Sequence, residues 1–426
     1  MRRFLWPAPA LAALSGCAPK PPASPGGALA SRDVASLAPA SLPSSVARAA
    51  ALPIERREGV PDATLSPSGL SVPRGFRVNV FASNLTGPRR LAIAPAGTSR
   101  AFDVFVSESS AGRVRVLRQS NGEGRATSTA VFLSGLRQPY GLAFHPGGWL
   151  YVAQTGSIGR TLYQAGQTSA SGGLHLIAPL VADGYNNHWT RNLLFSRDFK
   201  TLYATVGSSC NVCEEESPIR AGILRMNPDG SGRAIFASGM RNPIGLAWRP
   251  GTGELWSVIN ERDNLGDDTP PDYLTRVDQG RFYGWPYAYT GLDRTVQPDP
   301  SFGPLRPDRV RATTPPTVPL QAHSAVLGVA FYPTQVLAGA RPFGADYSGD
   351  AFLSFHGSWN RSAKTGYKIV RVHFHNGSPV SVSDFVQGFL RGSEAWGRPV
   401  DVQIAPDGSL LFSDDANGII WRVSRA

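Results

Sequence analysis

Cysteine is scarce in this sequence, with 3 in 426 residues, so the fold cannot rest on a framework of disulfides. Charge is thin as well, at 17% Asp, Glu, Lys and Arg, and no block of like charges interrupts the chain. That removes coiled coils and charged disordered tails. No stretch of about 20 uninterrupted apolar residues occurs, which excludes an ordinary membrane-spanning helix. Acidic residues are the minority: 31 Asp and Glu against 42 Lys and Arg leave a formal charge of +11. The arginines responsible are scattered singly, without RNA-type motifs between them, so the excess does not describe a nucleic-acid surface. No GxGxxG fingerprint follows a strand pattern, and a nicotinamide cofactor is not expected. What the chain has in quantity is Gly (46) and Pro (36), which breaks helices and argues against a helical bundle. With 42% hydrophobic and 10% aromatic residues, it can still bury a large core.

The first 17 residues open with Met1-Arg2-Arg3, pass through Phe4-Leu5-Trp6 and an Ala/Leu stretch, and end Leu14-Ser15-Gly16-Cys17. A charged start, an apolar run and small residues before a cleavage point describe a secretory leader. Its ending resembles a bacterial lipobox, which implies lipidation of Cys17 and a periplasm-facing chain held to a membrane by lipid alone. An ordinary leader with an incidental cysteine is the other reading. Residues 18–70 are rich in Pro, Ala and Ser and lack aromatics, so they read as a flexible tether. The folded domain is expected over 71–426. Setting Cys17 aside leaves Cys210 and Cys213, an even pair that suits a local disulfide in an oxidising compartment. No second ligand pair stands at zinc spacing, and no βαβ context supports a redox motif.

A repeat organises the rest. A short apolar strand ends in Pro or a polar turn, and a second strand follows almost at once. Leu91-Ala92-Ile93 precedes Val104-Phe105-Val106; Leu142-Ala143-Phe144 precedes Leu150-Tyr151-Val152; Leu193-Leu194-Phe195 precedes Leu202-Tyr203-Ala204. Leu246-Ala247-Trp248 precedes Leu255-Trp256-Ser257; Val329-Ala330-Phe331 precedes, after an insertion, Ala351-Phe352-Leu353; Val402-Gln403-Ile404 precedes Leu410-Leu411-Phe412. Third strands follow in several units, and Pro-Asp-Gly at 228–230 and 406–408 supplies tight turns. Six units at a spacing of about 50 residues, lengthened in the fifth, predict an all-β, six-bladed β-propeller.

In a propeller the innermost strands run along a central channel, and the residues just before them ring one mouth. The chain places there Arg89 and Arg90, Arg137 and Gln138, His188 and Arg191, Arg241 and Asn242, His323, and Arg398. Convergent guanidinium groups invite an anionic ligand, since arginine forks match carboxylate or phosphate. Pairing with acids of neighbouring blades is the alternative, and both stay open on sequence alone. The loop 260–268, with Glu261, Arg262 and Asp263, is dense in oxygen donors of the kind hard cations take. His188, in a polar segment at the mouth, is a candidate general base or a structural histidine.

With these residues in view, the chain over 75–426 resembles the soluble sugar dehydrogenases that depend on pyrroloquinoline quinone (PQQ), in particular the sorbosone and fungal pyranose dehydrogenase branch. The resemblance rests on segments 188–207, 239–247, 260–263, 283–286, 355–361 and 397–401, in order along one repeat fold. It implies PQQ and Ca²⁺ as cofactors, a sugar or sugar aldehyde as substrate, and a quinone or cytochrome as electron acceptor. It implies His188 as the base that takes the substrate's hydroxyl proton while hydride passes to the quinone, with Arg241 beside the developing charge. Arg89, Arg241, Asn242, His323, His356 and Arg398 are implied cofactor contacts, His356 standing where bacterial glucose enzymes have Lys. Glu261 and Arg262 fall near carbonyls that hold the cofactor's calcium, and Asp293 near a structural calcium ligand. Asn187 and Val400 depart from the bacterial glucose enzymes, which have Asp and a second Arg there, so glucose is not implied as the substrate. A calcium-dependent lactonase would need acids where this mouth has arginine. A non-catalytic propeller binding module would bind no cofactor.

Overall fold

The computed structural model describes residues 54–181 and 188–426. The leader, Cys17 and most of the tether lie outside them, as does Asn187. Within them the chain forms a six-bladed β-propeller. Blade 1 is Pro88–Ile93, Phe102–Glu108, Arg113–Gln119 and Ser128–Leu133; blade 2 is Leu142–His145, Trp149–Gln154, Ser157–Leu162 and His175–Pro179. Blade 3 is Leu193–Phe195, Leu202–Val206, Gly222–Met226 and Ala234–Ser238; blade 4 is Asn242–Trp248, Leu255–Asn260, Pro271–Arg276 and Val318–Ala322. Blade 5 is Val326–Phe331, Ala351–Phe355, Lys368–His375 and Ser378–Val386; blade 6 is Pro399–Ile404, Leu410–Asp414 and Ile419–Arg425. Each first strand packs against the first strand of the next blade, and the sixth returns to the first.

The strands read as continuous apolar runs because each sheet is covered on both faces by its neighbours. Phe102–Glu108 is buried at every position. The glycine that recurs in the first strands has a steric cause. A Cβ on Gly245 would stand 2.9 Å from the Leu327 carbonyl oxygen, and one on Gly328 would stand 2.8 Å from the Asp401 Cα. Adjacent inner strands therefore approach more closely there than any larger residue allows.

Blade 6 takes its fourth strand from the other end of the chain. Phe76–Ala82 pairs antiparallel with Ile419–Arg425, and Phe76 seats edge-on to Phe343 and Phe385, at 4.8 and 5.4 Å between ring centroids. This joint removes two free sheet edges. The repeat did not foretell it, because a closing strand lies outside the unit it completes. Two boundaries also differ from the sequence reading. Strands begin at Glu55–Arg57, which pairs in parallel with Ser378–Val386, well before residue 71. Their side chains are exposed, so backbone pairing rather than apolar burial holds them, and composition cannot see that. The fifth unit is lengthened at 332–350 as expected, but blade 4 carries a further excursion at 277–317 that includes the short helix Pro307–Arg311.

Four of the six first strands carry a register shift at the same end, between Pro88 and Leu91, Pro243 and Leu246, Val326 and Gly328, and Pro399 and Val402. Bulges re-aim side chains, and here they do so where the candidate site residues stand. At the seam between blades 6 and 1, Arg90 meets Asp401 at 2.7 Å with both side chains buried. Asp401 also accepts the Leu91 amide at 2.8 Å. Arg90→Ala would strand that carboxylate, so it is expected to lower unfolding free energy by about 3–5 kcal/mol. Chemical denaturation measures this, and a loss below about 1 kcal/mol would contradict it.

Candidate active site

Eight residues singled out in the sequence converge on one cavity of about 470 Å³ at the bulged ends of the first strands. They are Arg89, His188, Arg241, Asn242, Glu261, His323, His356 and Arg398, and Asp263 of the oxygen-rich loop joins them. Ile244, Leu327 and Trp189 also line it, and beneath them Tyr140 and Val400 complete an apolar cluster. The cavity thus has an apolar floor and a polar, arginine-bearing wall. Val400 is a fully buried part of that floor.

The mouth arginines divide by partner. Arg89 gives Nη1 to Asp415 at 2.6 Å and lies over the Tyr140 and Trp189 rings, at 5.6 and 5.3 Å. Arg90 is spent on Asp401. Arg137 is exposed and does not line the cavity. Arg191 is buried and donates to the carbonyls of His188, Thr190 and Val181. Arg398 donates to the carbonyls of His356 and Gly357, each at 3.2 Å, and among the described residues it has no carboxylate partner. The ring expected from sequence is therefore a cluster of three, Arg89, Arg241 and Arg398. Pairing across blades accounts for part of it and leaves one charge uncompensated.

Arg241 is almost completely buried, and its donors are largely committed. Nε reaches the Asn211 carbonyl at 3.0 Å, Nη1 the Glu261 carbonyl at 2.6 Å, and Nη2 both Asn211 Oδ1 at 2.9 Å and Asp263 at 2.8 Å. Its neighbour Asn242 also lines the cavity, while its Oδ1 is buried against Gly207 without a hydrogen-bond partner among the described residues. Gly207 keeps this corner open, since a Cβ there would stand 2.8 Å from the His188 Cβ and collide with Asn242 Oδ1.

His188 is 3% exposed. Its Nδ1 lies 2.8 Å from Ser208 Oγ and 3.2 Å from the Ser208 carbonyl. Ser208 Oγ gives its own proton to the Cys210 carbonyl at 2.6 Å, so it can only accept from the imidazole. The proton therefore sits on Nδ1 and the lone pair on Nε2. Burial, and then Arg241, hold His188 well below its usual pKa. It is a neutral imidazole in the ground state, as a base must be.

The remaining groups were less legible. His356 gives Nε2 to Asp415 at 3.0 Å, and burial nonetheless keeps its pKa below the ordinary value. Burial alone would push Asp415 up, but His356 and Arg89 outweigh it and hold the carboxyl well below the usual range. His323 gives Nε2 to the Gly266 carbonyl at 2.8 Å. Its backbone, like that of Ala325, lies in the left-handed region at φ of +60° and +52°, a conformation non-glycine residues hold only where their surroundings enforce it.

Glu261 and Asp272 line the same wall, and burial pushes their carboxyls up to about 7 and about 6. Arg262 turns away to pair with Asp299, so only its backbone belongs to this loop. Asp293 is exposed, and its Oδ1 caps its own turn by accepting the Thr295 amide at 3.0 Å. It does not line the cavity, and it belongs to no cluster of three or more acids, imidazoles and thiols among the described residues. Cys210 and Cys213 are joined as a disulfide. Asp415, Ser208 and Asn211 went unnoticed in the sequence; their bonds join segments far apart in the chain.

Comparison with known proteins places this geometry. A PQQ-dependent pyranose dehydrogenase from Coprinopsis cinerea is 26% identical over 356 residues, covering 71% of this chain and 44% of that protein. The chain thus spans less than half the length of that relative. The holo form of the pyranose dehydrogenase PQQ domain from Coprinopsis cinerea superposes with a TM-score of 0.70 at 21% identity, covering 86% of this chain and 98% of that domain. A calcium structure of the Trichoderma reesei family AA12 carbohydrate-active enzyme superposes with a TM-score of 0.69 at 21% identity, covering 83% and 96%. The TrAA12-like family model matches residues 70–426, the whole propeller with its closing strand, and the chain belongs to that family.

Proposed function

We propose that this protein is a PQQ-dependent oxidoreductase that oxidises a sugar or sugar aldehyde. The observation that carries the reading is Arg398, a guanidinium without a carboxylate partner among the described residues, in the same apolar-floored cavity as a neutral, buried His188. The residues fit PQQ, a flat tricarboxylate. Ile244 and Leu327 offer it an apolar face, Arg89 and Arg398 offer guanidinium N–H groups for its carboxylates, and Arg241 adds the one N–H its partners leave. Backbone carbonyls near Glu261 and Arg262, with the carboxyls of Glu261 and Asp272 in the cavity wall, would be the oxygen donors for Ca²⁺. When bound, PQQ supplies the electron acceptor and Ca²⁺ a Lewis acid.

The chain's own part is binding, orientation and proton transfer. Ser208 fixes the His188 tautomer, so a substrate hydroxyl proton is taken up on Nε2. Arg241, dry and held on four sides, stabilises negative charge that grows beside it. The leader and lipobox, together with the Cys210–Cys213 disulfide, support an extracytoplasmic, lipid-anchored location, with electrons passing on to a quinone or cytochrome.

Three outcomes test this reading. His188→Gln is expected to bind PQQ as the parent does and to lose turnover by about 10²-fold or more; unchanged turnover with a dye acceptor would remove His188 from the base role. Arg398→Ala is expected to weaken PQQ affinity by about 10- to 100-fold, the scale of a hydrogen bond to a charged group, and a titration showing equal affinity would contradict it. The pH dependence has a definite sign. A base with a lowered pKa is protonated only as pH falls through that lowered value. The acid limb of kcat/KM should therefore lie below pH 6.5, the ordinary value for histidine, and a limb above it would contradict the neutral imidazole.

A further inference from the structure

Four residues bridged by one disulfide, Cys210 to Cys213, form a loop beside the cavity, and Asn211 within it makes an unusual set of bonds. Its carbonyl accepts from Arg241 Nε at 3.0 Å and from Trp285 Nε1 at 3.1 Å. Its side-chain Oδ1 accepts from Arg241 Nη2 at 2.9 Å and from the Asp263 amide at 2.8 Å. Its Nδ2 donates to the Asp263 carbonyl at 3.2 Å. One half-buried residue therefore ties together the start of the fourth blade's first strand, the oxygen-rich loop after its second strand, and the excursion at 277–317. The residue before it adds a further link, because the Cys210 carbonyl accepts the Ser208 proton and so fixes the tautomer of His188.

We propose that Asn211, held by the Cys210–Cys213 bridge, is the positioning residue that sets Arg241 and the backbone of 261–263 for the cofactor; this rests on the reading given above. The chemistry requires an amide at this place. Two N–H groups converge on Oδ1 while a carbonyl faces Nδ2, so the side chain must accept and donate at once. A carboxylate would keep the acceptor and lose the donor, and alanine would lose both. Guanidinium orientation matters because Arg241 can act on a ligand only through the direction of its remaining N–H. The bridge matters because an unconstrained four-residue loop would have to be ordered whenever these bonds form.

The test separates the positioning role from the functional reading. In the cofactor-free protein, exchange of the Arg241 Nη2–H groups with solvent is followed by ¹⁵N NMR in the parent, Asn211→Ala, Asn211→Asp and the double variant Cys210→Ser/Cys213→Ser. Asn211→Ala should accelerate exchange by about tenfold or more, Asn211→Asp by less, and the double variant in the same direction. In parallel, PQQ affinity is titrated by tryptophan fluorescence, and kcat and KM are measured with a sugar and a dye acceptor. Asn211→Ala should bind PQQ at least tenfold more weakly and lower kcat more than it changes sugar KM. Unchanged Arg241 exchange overturns the proposal whether or not PQQ binds. A fall in melting temperature with PQQ affinity and kcat intact overturns it as well, since that is a merely structural residue. A parent protein that fails to bind PQQ removes the functional reading, while the exchange series still decides what Asn211 does to Arg241.

Discussion

Several guanidinium groups sit together over an apolar floor, and much of the site's architecture follows from making that arrangement tolerable. A buried cation needs hydrogen bonds and countercharge, or it lowers the stability of the fold. Arg90 has Asp401, Arg89 shares Asp415 with His356, and Arg241 has Asp263 with two carbonyls and Asn211. Asp401 and Asp415 lie more than 300 positions from their arginines, so the propeller must close in order for those two charges to be neutralised. Arg398 stands apart because, among the described residues, its guanidinium has carbonyls and the Tyr367 ring as partners and no carboxylate. The site is therefore biased toward an anion without being a loose cluster of charge.

The same constraint links cation and base. Arg241 is close enough to lower the His188 pKa, second only to burial, and both residues are anchored through the segment 208–211. In the proposed reaction, a neutral imidazole with its lone pair on Nε2 would remove a proton while the fixed guanidinium would steady negative charge. Neither role would survive if these side chains were free to reorient. The apolar cluster of Tyr140, Ile244, Leu327 and Val400 excludes water from below, which strengthens each polar interaction above it.

The repeat was legible because its cause is local. Inner strands must pass each other closely, so Gly141, Gly245 and Gly328 recur before apolar pairs, and Pro follows where the strand ends. The closing strand Phe76–Ala82 and the early strand Glu55–Arg57 were not legible, since each pairs with residues more than 300 positions away. At the site, residue type and position picked out Arg89, His188, Arg241 and Arg398 correctly as lining one cavity. Position alone could not say that Arg137 would point to solvent or that Arg191 would be consumed by carbonyls. Nor could it show that Asp293 would cap its own turn. Asn211 was hidden inside a cysteine pair that drew attention to its sulfurs rather than to the amide between them.

The central claim is that the cavity holds PQQ together with a divalent cation. A thermal melt of the purified protein with PQQ and Ca²⁺, added separately and together, tests it most directly. A ligand bound only by the folded state raises the melting temperature by mass action, by RT ln(1 + [L]/Kd) in free energy. The account predicts a rise with PQQ that is largest when Ca²⁺ is also present. A rise with Ca²⁺ alone, or no shift with PQQ under any condition, would contradict it.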